Sequence, residues 1–408
     1  MNRLPVPLPH GWAVAPLRGL IELRYGKSLP EEQREVGPNP VYGSNGRVGT
    51  HSRSLTIGEA IIVGRKGSAG AVHFSSGPCW PIDTTYYIDA FGPFTSKFLE
   101  HQLRFLNLSK HDTSTAIPGL NREKVYDQQV RVPPLPEQRR IVEAIETRFA
   151  RLDAAVKALE RARANLKRYR ASVVRAAADG RLTGRKSEWG RRGLFDVADD
   201  LDGERVPVNA KERERRVGTV PYYGATGQVG WIDDNLFDDE LVLLGEDGVD
   251  FLNPLKSKAY IIRGKSWVNN HAHVLRARSD EIDSRFLLIQ LNATNYFGLA
   301  NGTTRLKLTK SAMRKISIPV APIDEQLAVV AEAERRFSVA DEVGLEVERG
   351  LVRAARLREA LLKSAFEGRL APQDPQDEPA SSLLERIKMA NRATSDSIRR
   401  GQRLLPAE

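Results

Sequence analysis

The sequence predicts an α+β protein in which two β-rich domains alternate with two long helices that pair as an antiparallel coiled coil. Three observations lead to this fold class: an internal repeat, short β-branched runs in the first part of each repeat, and a long heptad-patterned segment in the second part. A chain that contains one such unit twice is expected to show pseudo-two-fold symmetry.

The repeat is visible in the residues themselves. Residues 40–49 (PVYGSNGRVG) recur as residues 221–230 (PYYGATGQVG), an offset of 181, and the same offset carries Gly64 onto Gly245. The later part of the repeat has an offset of 188, which relates Gln138 to Gln326, Phe149 to Phe337, and Gly180 to Gly368. Self-similarity over this length indicates a duplicated structural unit.

The first part of each unit, about 130 residues long, has the pattern of a compact β-rich domain. Short apolar runs that end at turn residues predict strands, and they lie at residues 60–63, 85–88, 241–244 and 260–262. Helical apolar spacing predicts helices at 98–106 and 286–291. Asn121 and Thr309 are plausible N-caps of two further short helices.

The second part of each unit predicts one long helix. Residues 137–179 contain neither proline nor glycine, prolines 134, 136 and 322 mark the helix starts, and Gly180 and Gly368 stand where a C′ glycine belongs. Apolar residues recur every seven positions along a predicted seam: Leu152, Leu159, Leu166 and Val173 in the first helix, and Ala340, Val347, Ala354 and Leu361 in the second. Val156, Tyr169, Leu351 and Leu357 are expected to complete it.

A helix of about 43 residues extends about 65 Å and must pack against something equally long. The other copy is the expected partner, and a separate helix on each domain is the alternative. The expected segments are a first β-rich domain (1–133), a central helix (134–184), a second β-rich domain (185–320), a second helix (321–371) and a tail with a short helix (372–408).

The charge and cysteine content restrict the class of protein. The net charge is +10, and residues 139–192 hold 16 basic against 6 acidic side chains, which indicates either a phosphate-binding surface or a solvated helix face. Cys79 is the single cysteine, so a disulfide within one chain is excluded. No stretch approaches the roughly 18 apolar residues of a membrane span, and we expect a cytoplasmic protein.

No catalytic motif stands out. Residues 64–68 (GRKGS) have the wrong spacing for a phosphate-binding P-loop, and no Asn- or Asp-Pro-Pro-aromatic motif of an adenine methyltransferase occurs. His271 and His273 could face one side of a strand, but two histidines without a third ligand favour hydrogen bonding over metal binding. A solitary nuclease or methyltransferase is therefore disfavoured, and no metal is expected.

Glu246 and Asp247 could form a nuclease carboxylate pair, but the aligned residues of the first copy are Arg65 and Lys66. A duplicated active site would not reverse its charge. Two domains that recognise different DNA sequences would be expected to differ in the charge of this loop. Arginine and lysine donate hydrogen bonds to guanine, whereas acidic side chains accept a hydrogen bond from cytosine.

Several local motifs together resemble the specificity subunits of Type I restriction-modification systems. In the two β-rich domains they are residues 41–46 (VYGSNG), 62–68 (IVGRKGS), 79–85 (CWPIDTT), 221–227 (PYYGATG), 245–248 (GEDG) and 267–273 (WVNNHAH). The helix junctions 134–138 (PLPEQ) and 322–326 (PIDEQ) and the tail 375–387 agree with the same family. One departure is the start of the second domain, which has an acidic run at 196–204 instead of the more typical LPHGW of residues 8–12.

The resemblance implies a non-catalytic subunit that binds double-stranded DNA with one target-recognition domain for each half of a two-part sequence. It implies two modification subunits that use S-adenosylmethionine to methylate adenine N6, and restriction subunits that use ATP and Mg²⁺, so this chain would bind no cofactor itself. Two alternatives remain open: a subunit of a methylation-only or related phage-defence complex, and a coiled-coil scaffold that does not recognise DNA.

Polar residues in the repeated loops are expected to lie in or near the DNA interface. In the first domain they are Asn45, Arg47, Arg65, Lys66 and Ser68. In the second domain they are Thr226, Gln228, Asn269, Asn270, His271, Thr303, Thr304 and Arg305. For residues in glycine-rich turns, a purely turn-forming role is the alternative.

Overall fold

The structure, a computed structural model, describes residues 7–111, 119–184 and 189–390. The chain divides into two compact units, unit 1 with residues 1–156 and 352–408 and unit 2 with residues 157–351. The end of the expected tail beyond residue 390, and residues 185–188 of the basic stretch, lie outside the described residues.

The described part of unit 1 contains nine strands in three sheets. The strands are β1 (Ala13–Pro16), β2 (Arg24–Tyr25), β3 (Asn39–Gly43), β4 (Gly46–His51), β5 (Ala60–Gly64), β6 (Val72–Ser75), β7 (Trp80–Pro81), β8 (Thr85–Ile88) and β9 (Gln129–Val132). The sheet orders are β1-β9, β2-β8-β5-β6 and β4-β3-β7. The helices that begin in this unit are α1 (Ser96–Leu106), α2 (Arg122–Tyr126) and α3 (Leu135–Ala178).

Unit 2 repeats this arrangement. Its described strands are β10 (Gly190–Gly193), β11 (Ala198–Asp200), β12 (Val220–Gly224), β13 (Gly227–Ile232), β14 (Phe237–Asp238), β15 (Leu241–Gly245), β16 (Ala259–Ile262), β17 (Lys265–Val268), β18 (Ala272–Ala277) and β19 (Ser317–Val320). The orders β10-β19, β11-β18-β15-β16 and β13-β12-β17-β14 match those of unit 1 with one extra edge strand. The helices are α4 (Leu194–Val197), α5 (Ala210–Arg215), α6 (Ser284–Ala293), α7 (Lys310–Met313) and α8 (Ile323–Phe366).

The duplication extends to irregular details. The β3–β4 pair shifts register between Val41 and Tyr42, and the β12–β13 pair shifts between Tyr222 and Tyr223, which is the same position at the offset of 181. Two long helices and two β-rich domains in a duplicated chain confirm the predicted α+β fold class.

The ends of the long helices form part of each domain core. In unit 1 the buried core includes Phe98 of α1, Ile141 of α3 and Phe366 of α8. In unit 2 it includes Val173 of α3 and Val329 of α8. Burial of these apolar side chains holds the helix ends to the domains, because separating them would expose the shared core to water.

A buried glutamine joins each long helix to its domain. The Gln138 amide donates to Pro93 O at 2.8 Å and to Pro133 O at 3.0 Å, and its oxygen accepts from Thr95 N at 2.8 Å. In unit 2 the equivalent bonds join Gln326 to Glu281, Ala321 and Asp283. The junction motif therefore has a structural role: it satisfies backbone groups at the N-terminus of the domain helix and of the long helix.

The long helices pair antiparallel within each unit. In unit 2, Arg163 lies 3.6 Å from Glu348, and Arg170 pairs with Asp341. In unit 1, Asp153 pairs with Arg358. As the residue number rises along α3, it falls along α8, which is the predicted antiparallel arrangement.

The seam differs from the expectation at two positions. Tyr169 is 40% exposed and Leu357 is 48% exposed. The half-buried residues at those turns are Arg170 and Arg358, whose guanidinium groups lie over the rings of Phe337 and Phe149, at 5.4 and 4.2 Å from the ring centres. A repeat-related arginine–phenylalanine contact, supported by cation–π attraction, therefore lies beside the seam in each unit, although the side chains of Arg170 and Arg358 are still 39% and 41% exposed.

Glycines in α8 also contribute to the seam and were missed. A methyl group at Gly350 would lie 3.0 Å from Leu159, and one at Gly344 would lie 3.9 Å from Leu166. Of the other predicted seam residues, Leu152, Val173, Ala340, Val347 and Ala354 are buried, and Leu361 is half-buried. The leucines of α3 therefore pack against small residues of α8 in unit 2.

Candidate nucleic-acid interface

Three segments of unit 1 meet on one loop face, defined here as residues 44–45, 65–70 and 119–122. The turn that holds Asn45 lies against the loop after β5, since a methyl group at Gly67 would be 3.4 Å from Ser44 Oγ. Lys66 forms an isolated antiparallel bridge with Gly119. The structure thus brings together loops that are about 20 to 50 positions apart in sequence.

The predicted residues on the unit 1 loop face differ in exposure. Asn45, Arg47, Lys66 and Ser68 are exposed, whereas Arg65 is half-buried. Arg65 donates from Nε and Nη2 to Asp83 O, at 3.1 and 2.5 Å. It is therefore the one side chain among these five whose direction is fixed by hydrogen bonds to a neighbouring loop.

The loop face of unit 2 consists of residues 225–226, 246–248, 269–271 and 301–307. Glu246 N donates to His271 O at 2.8 Å, and His271 Nδ1 lies 3.0 Å from Asp247 Oδ1. Arg305 approaches the same carboxylate at 3.8 Å. Thr226 and Ala225 belong to one turn, which packs against Gly245. A methyl group added at Gly245 would lie 3.3 Å from Ala225 O.

The remaining predicted residues of unit 2 are mostly on the surface. Gln228, Asn270, Thr303 and Thr304 are exposed, but Asn269 is only 8% exposed. The Asn269 side-chain oxygen accepts from His271 N at 2.9 Å. Asn269 therefore supports the loop from beneath, and its place in or near a DNA interface stays a prediction.

An ion cluster lies at the base of the unit 2 loop face and includes two of its residues. It comprises Asp202, Arg205, Glu246, His273 and Lys307, of which Lys307 is exposed. Arg205 lies 2.9 Å from Glu246 and 3.2 Å from Asp202, and Lys307 lies 2.9 Å from Glu246. Burial by itself would raise the pKa of Glu246, but hydrogen bonds from Lys307 and Arg205 outweigh it and lower the pKa. The cluster fixes the loop that carries Thr303 to Arg305 onto the sheet.

The two histidines of the WVNNHAH segment have separate partners. His273 is buried, with Nδ1 at 2.6 Å from Asp202 Oδ2 and Nε2 at 2.7 Å from Leu308 O, whereas His271 is exposed beside Asp247. Asp202, Glu246 and His273 have the donor types of a metal site. Arg205 and Lys307 already supply positive charge to these carboxylates, so the arrangement is that of an ion-pair network.

The basic stretch of the sequence faces an acidic one. Residues 157–178 of α3 hold seven basic side chains and one acidic side chain, whereas residues 323–351 of α8 hold eight acidic and three basic ones. Arg163 and Arg170 pair across the helices. Ion pairs between the helices therefore involve two of these seven basic side chains.

Sequence reasoning considered Asp247 only through the charge reversal, and it did not consider Tyr25 or Arg122, which lie close to Arg65. Asp247 links His271 and Arg305, and in unit 1 Tyr25 and Arg122 stack near Arg65. The pairing of β2 with β8 brings Tyr25 next to Tyr86, and this long-range pairing has no signal in the sequence.

Comparison with known proteins identifies the class. The family described as Type I restriction modification DNA specificity domain matches residues 9–161 and again residues 186–331. The chain therefore belongs to this family of non-catalytic DNA-recognition subunits, as the resemblance predicted.

Similarity to individual proteins agrees with this family assignment. The chain is 24% identical to the Type I restriction enzyme StySPI specificity subunit of Salmonella potsdam, across 95% of this chain and 97% of that protein. It is 25% identical to the EcoBI specificity subunit of Escherichia coli, across 83% and 80%. A solved structure from work on complex assembly and conformational transition of the type I R-M system has the same fold, with a TM-score of 0.68, 19% identity, and coverage of 90% of this chain and 100% of that chain.

No helix within the described residues combines the length and apolar character that a membrane span requires.

Proposed function

We propose that this chain recognises a two-part DNA target, one half-site for each β-rich domain, and recruits the subunits that modify and cut DNA. The observation that carries the proposal is the reversal of charge on a repeated scaffold. After the equivalent glycines Gly64 and Gly245, one loop carries Arg65 and Lys66 and the other carries Glu246 and Asp247. Domains that share a backbone but differ in loop chemistry are suited to different base sequences.

The paired helices would set the distance between half-sites. Each long helix has 44 residues, which corresponds to about 66 Å at 1.5 Å per residue. In symmetric DNA-binding dimers the spacing of the reading elements determines the spacing of half-sites. Here a pair of helices with fixed register would have the same effect, with unread base pairs between the half-sites.

Catalysis and cofactors would belong to partner proteins. The expected partners are two modification subunits that bind S-adenosylmethionine and flip the target adenine, together with restriction subunits that bind ATP and Mg²⁺. This chain would supply the DNA sequence preference and the docking scaffold. A methylation-only or related phage-defence complex would use the same scaffold without restriction subunits.

The experiment is a matched insertion in both helices. Residues 160–166 of α3 and 345–351 of α8 face each other, as the Arg163–Glu348 pair shows. Duplicating both segments adds one heptad, about 10 Å, and should widen the unread gap by about 3 base pairs at 3.4 Å each. Because 3 base pairs are about a third of a DNA turn, the new target should also bind more weakly.

Methylome sequencing of cells that carry each variant measures the gap directly. Duplicating only residues 160–166 is the control, because it breaks the helix register and should abolish methylation without creating a new gap. An unchanged gap in the doubly extended protein would rule out the helices as the ruler. DNA recognition itself is tested by deleting the gene. The methylated two-part sequence found in wild-type cells should then be absent from the methylome of the deletion strain.

A further inference from the structure

Unit 1 has a surface cluster in which arginine and tyrosine side chains alternate, called here the arginine–tyrosine ladder. Arg65 and Arg122 lie 5.4 and 5.3 Å from the ring centre of Tyr25. Arg65 also lies 6.0 Å from the Tyr86 ring, and Arg122 lies 5.9 Å from the Tyr126 ring. These distances are within the range of cation–π attraction, so each ring restrains the guanidinium groups beside it.

The ladder leaves one edge of Arg65 available. Its Nε–H and one Nη2–H are directed to Asp83 O, which leaves one Nη1–H and the second Nη2–H side by side on the adjacent edge of the guanidinium. No carboxylate among the described residues pairs with Arg65. Tyr25 is 53% exposed, so the ladder is accessible to a large ligand.

The ladder occupies the place that the ion cluster has in unit 2. Val63 of β5 lies opposite Tyr86, and Leu244, which follows Val63 by the repeat offset of 181, lies opposite His273. Tyr86 and His273 therefore hold equivalent positions. Each contacts a residue from a segment earlier in its own unit. Tyr86 pairs with Tyr25 of β2, and His273 lies 2.6 Å from Asp202, which follows β11.

The two equivalent clusters differ in one important respect. In unit 2 the side chains of Asp202 and Glu246 are 7% and 13% exposed, and their charges are compensated within the cluster. In unit 1 the residue equivalent to Glu246 is Arg65, which shares the Tyr25 ring with a second arginine, Arg122. The unit 2 cluster is closed by its own ion pairs. In the unit 1 cluster Arg122 lies 3.8 Å from Glu123, but Arg65 has no ion-pair partner among the described residues.

We propose that the arginine–tyrosine ladder is the specificity-determining site of unit 1, in which Arg65 binds the major-groove edge of a guanine. Guanine offers O6 and N7 as two adjacent acceptors, and two parallel N–H groups of one guanidinium match them. Tyr25 and Arg122 are positioning residues that hold Arg65 at the required angle. The proposal rests on the proposed function and names the base that one half-site must contain.

The test uses the full-length chain assembled with its modification subunits and a duplex library in which each half-site is randomised in turn. Bound and unbound sequences are counted for the wild type and for Arg65→Lys, Tyr25→Leu and Tyr25→Phe. Arg53→Ala, an exposed arginine of the same unit outside the ladder, is the matched control. Thermal unfolding of each variant verifies that the fold is retained.

The wild type should require guanine at one position of the unit 1 half-site. Arg65→Lys should reduce that preference about 10- to 100-fold, because a flexible ammonium lacks the rigid planar pair of parallel N–H groups and cannot stack on the Tyr25 ring as a guanidinium does. Tyr25→Leu should reduce it less, Tyr25→Phe should preserve it because the ring remains, and Arg53→Ala should leave it unchanged. Preferences in the other half-site should be the same in every variant.

Two outcomes would overturn the assignment while leaving the proposed function intact. One is a wild-type unit 1 half-site without a required guanine. The other is a loss of affinity in Arg65→Lys that is uniform across all sequences and lowers the salt dependence, which indicates a phosphate contact. A wild-type protein without sequence preference in either half-site would instead reject the proposed function, and the ladder assignment with it.

Discussion

His101 of α1 is a buried histidine whose replacement should stabilise unit 1. It is 7% exposed, and neither ring nitrogen has a hydrogen-bond partner among the described residues. Its ring meets the edge of Phe149 of α3, with ring centres 5.9 Å apart. Burial lowers the pKa of His101 to about 4 from its usual 6.5.

The lowered pKa makes the stability of the protein depend on pH in a definite direction. The unfolded chain accepts a proton at His101 near pH 6.5, and the folded chain accepts it only near pH 4. Stability is therefore complete above about pH 6.5 and falls as the pH drops to 4, by about 3 kcal/mol in total and about 2 kcal/mol by pH 5. Below pH 4 His101 is protonated in both the folded and the unfolded chain, so the decrease in unfolding free energy that it causes no longer changes with pH.

The perturbation is His101→Ile, because the equivalent residue of α6 is Ile289, which is also buried. The variant removes unsatisfied polar atoms, so its unfolding free energy at pH 7.5 should rise by about 1–2 kcal/mol. The difference in stability between pH 7.5 and pH 5 should shrink by about 2 kcal/mol. Urea unfolding at the two pH values measures both quantities.

Ile289→His is the matched control in unit 2. It should introduce a pH dependence of the same sign, with lower stability at pH 5 than at pH 7.5. If His101→Ile left the difference between the two pH values unchanged, or if the imidazole of His101 titrated near 6.5 in NMR spectra, the burial argument would be refuted.

Two further predictions concern the helices. Gln138→Leu leaves two carbonyl groups and one backbone N–H without their partner, so urea unfolding of unit 1 should show a loss of about 3 kcal/mol or more. Gly344→Ala should stabilise the helix pair by about 1 kcal/mol in thermal unfolding, because alanine favours helix and its methyl group would have an ordinary 3.9 Å contact. Gly350→Ala should gain less, since its methyl group would lie 3.0 Å from Leu159; equal gains would contradict the close packing at Gly350.

Much of the fold could be predicted because its determinants are local. Proline and glycine positions marked the ends of both long helices, and the structure has positive φ at Gly180 and Gly368. Asn121 and Thr309 accept the expected capping hydrogen bonds. The constant offset of the repeat was enough to pair equivalent elements of the two units.

The candidate site was less predictable. The loops with Arg65 and Glu246 were singled out through their opposite charges, but no local pattern indicated that Asn269 would be buried beneath its loop. Tyr25 and Arg122 were missed because they approach Arg65 only through the β2–β8 pairing and the segment before α2.

The sequence by itself determined the duplication, the order of elements, the long helices and the family, since repeats, caps and heptads act between near neighbours or at a constant offset. Only the tertiary structure decided which side chains share a surface. It laid Arg170 and Arg358 over the rings of Phe337 and Phe149 and closed an ion cluster in unit 2. It left the equivalent arginine–tyrosine ladder open in unit 1. Such contacts depend on side chains from distant segments competing for the same space, and no local pattern encodes that competition.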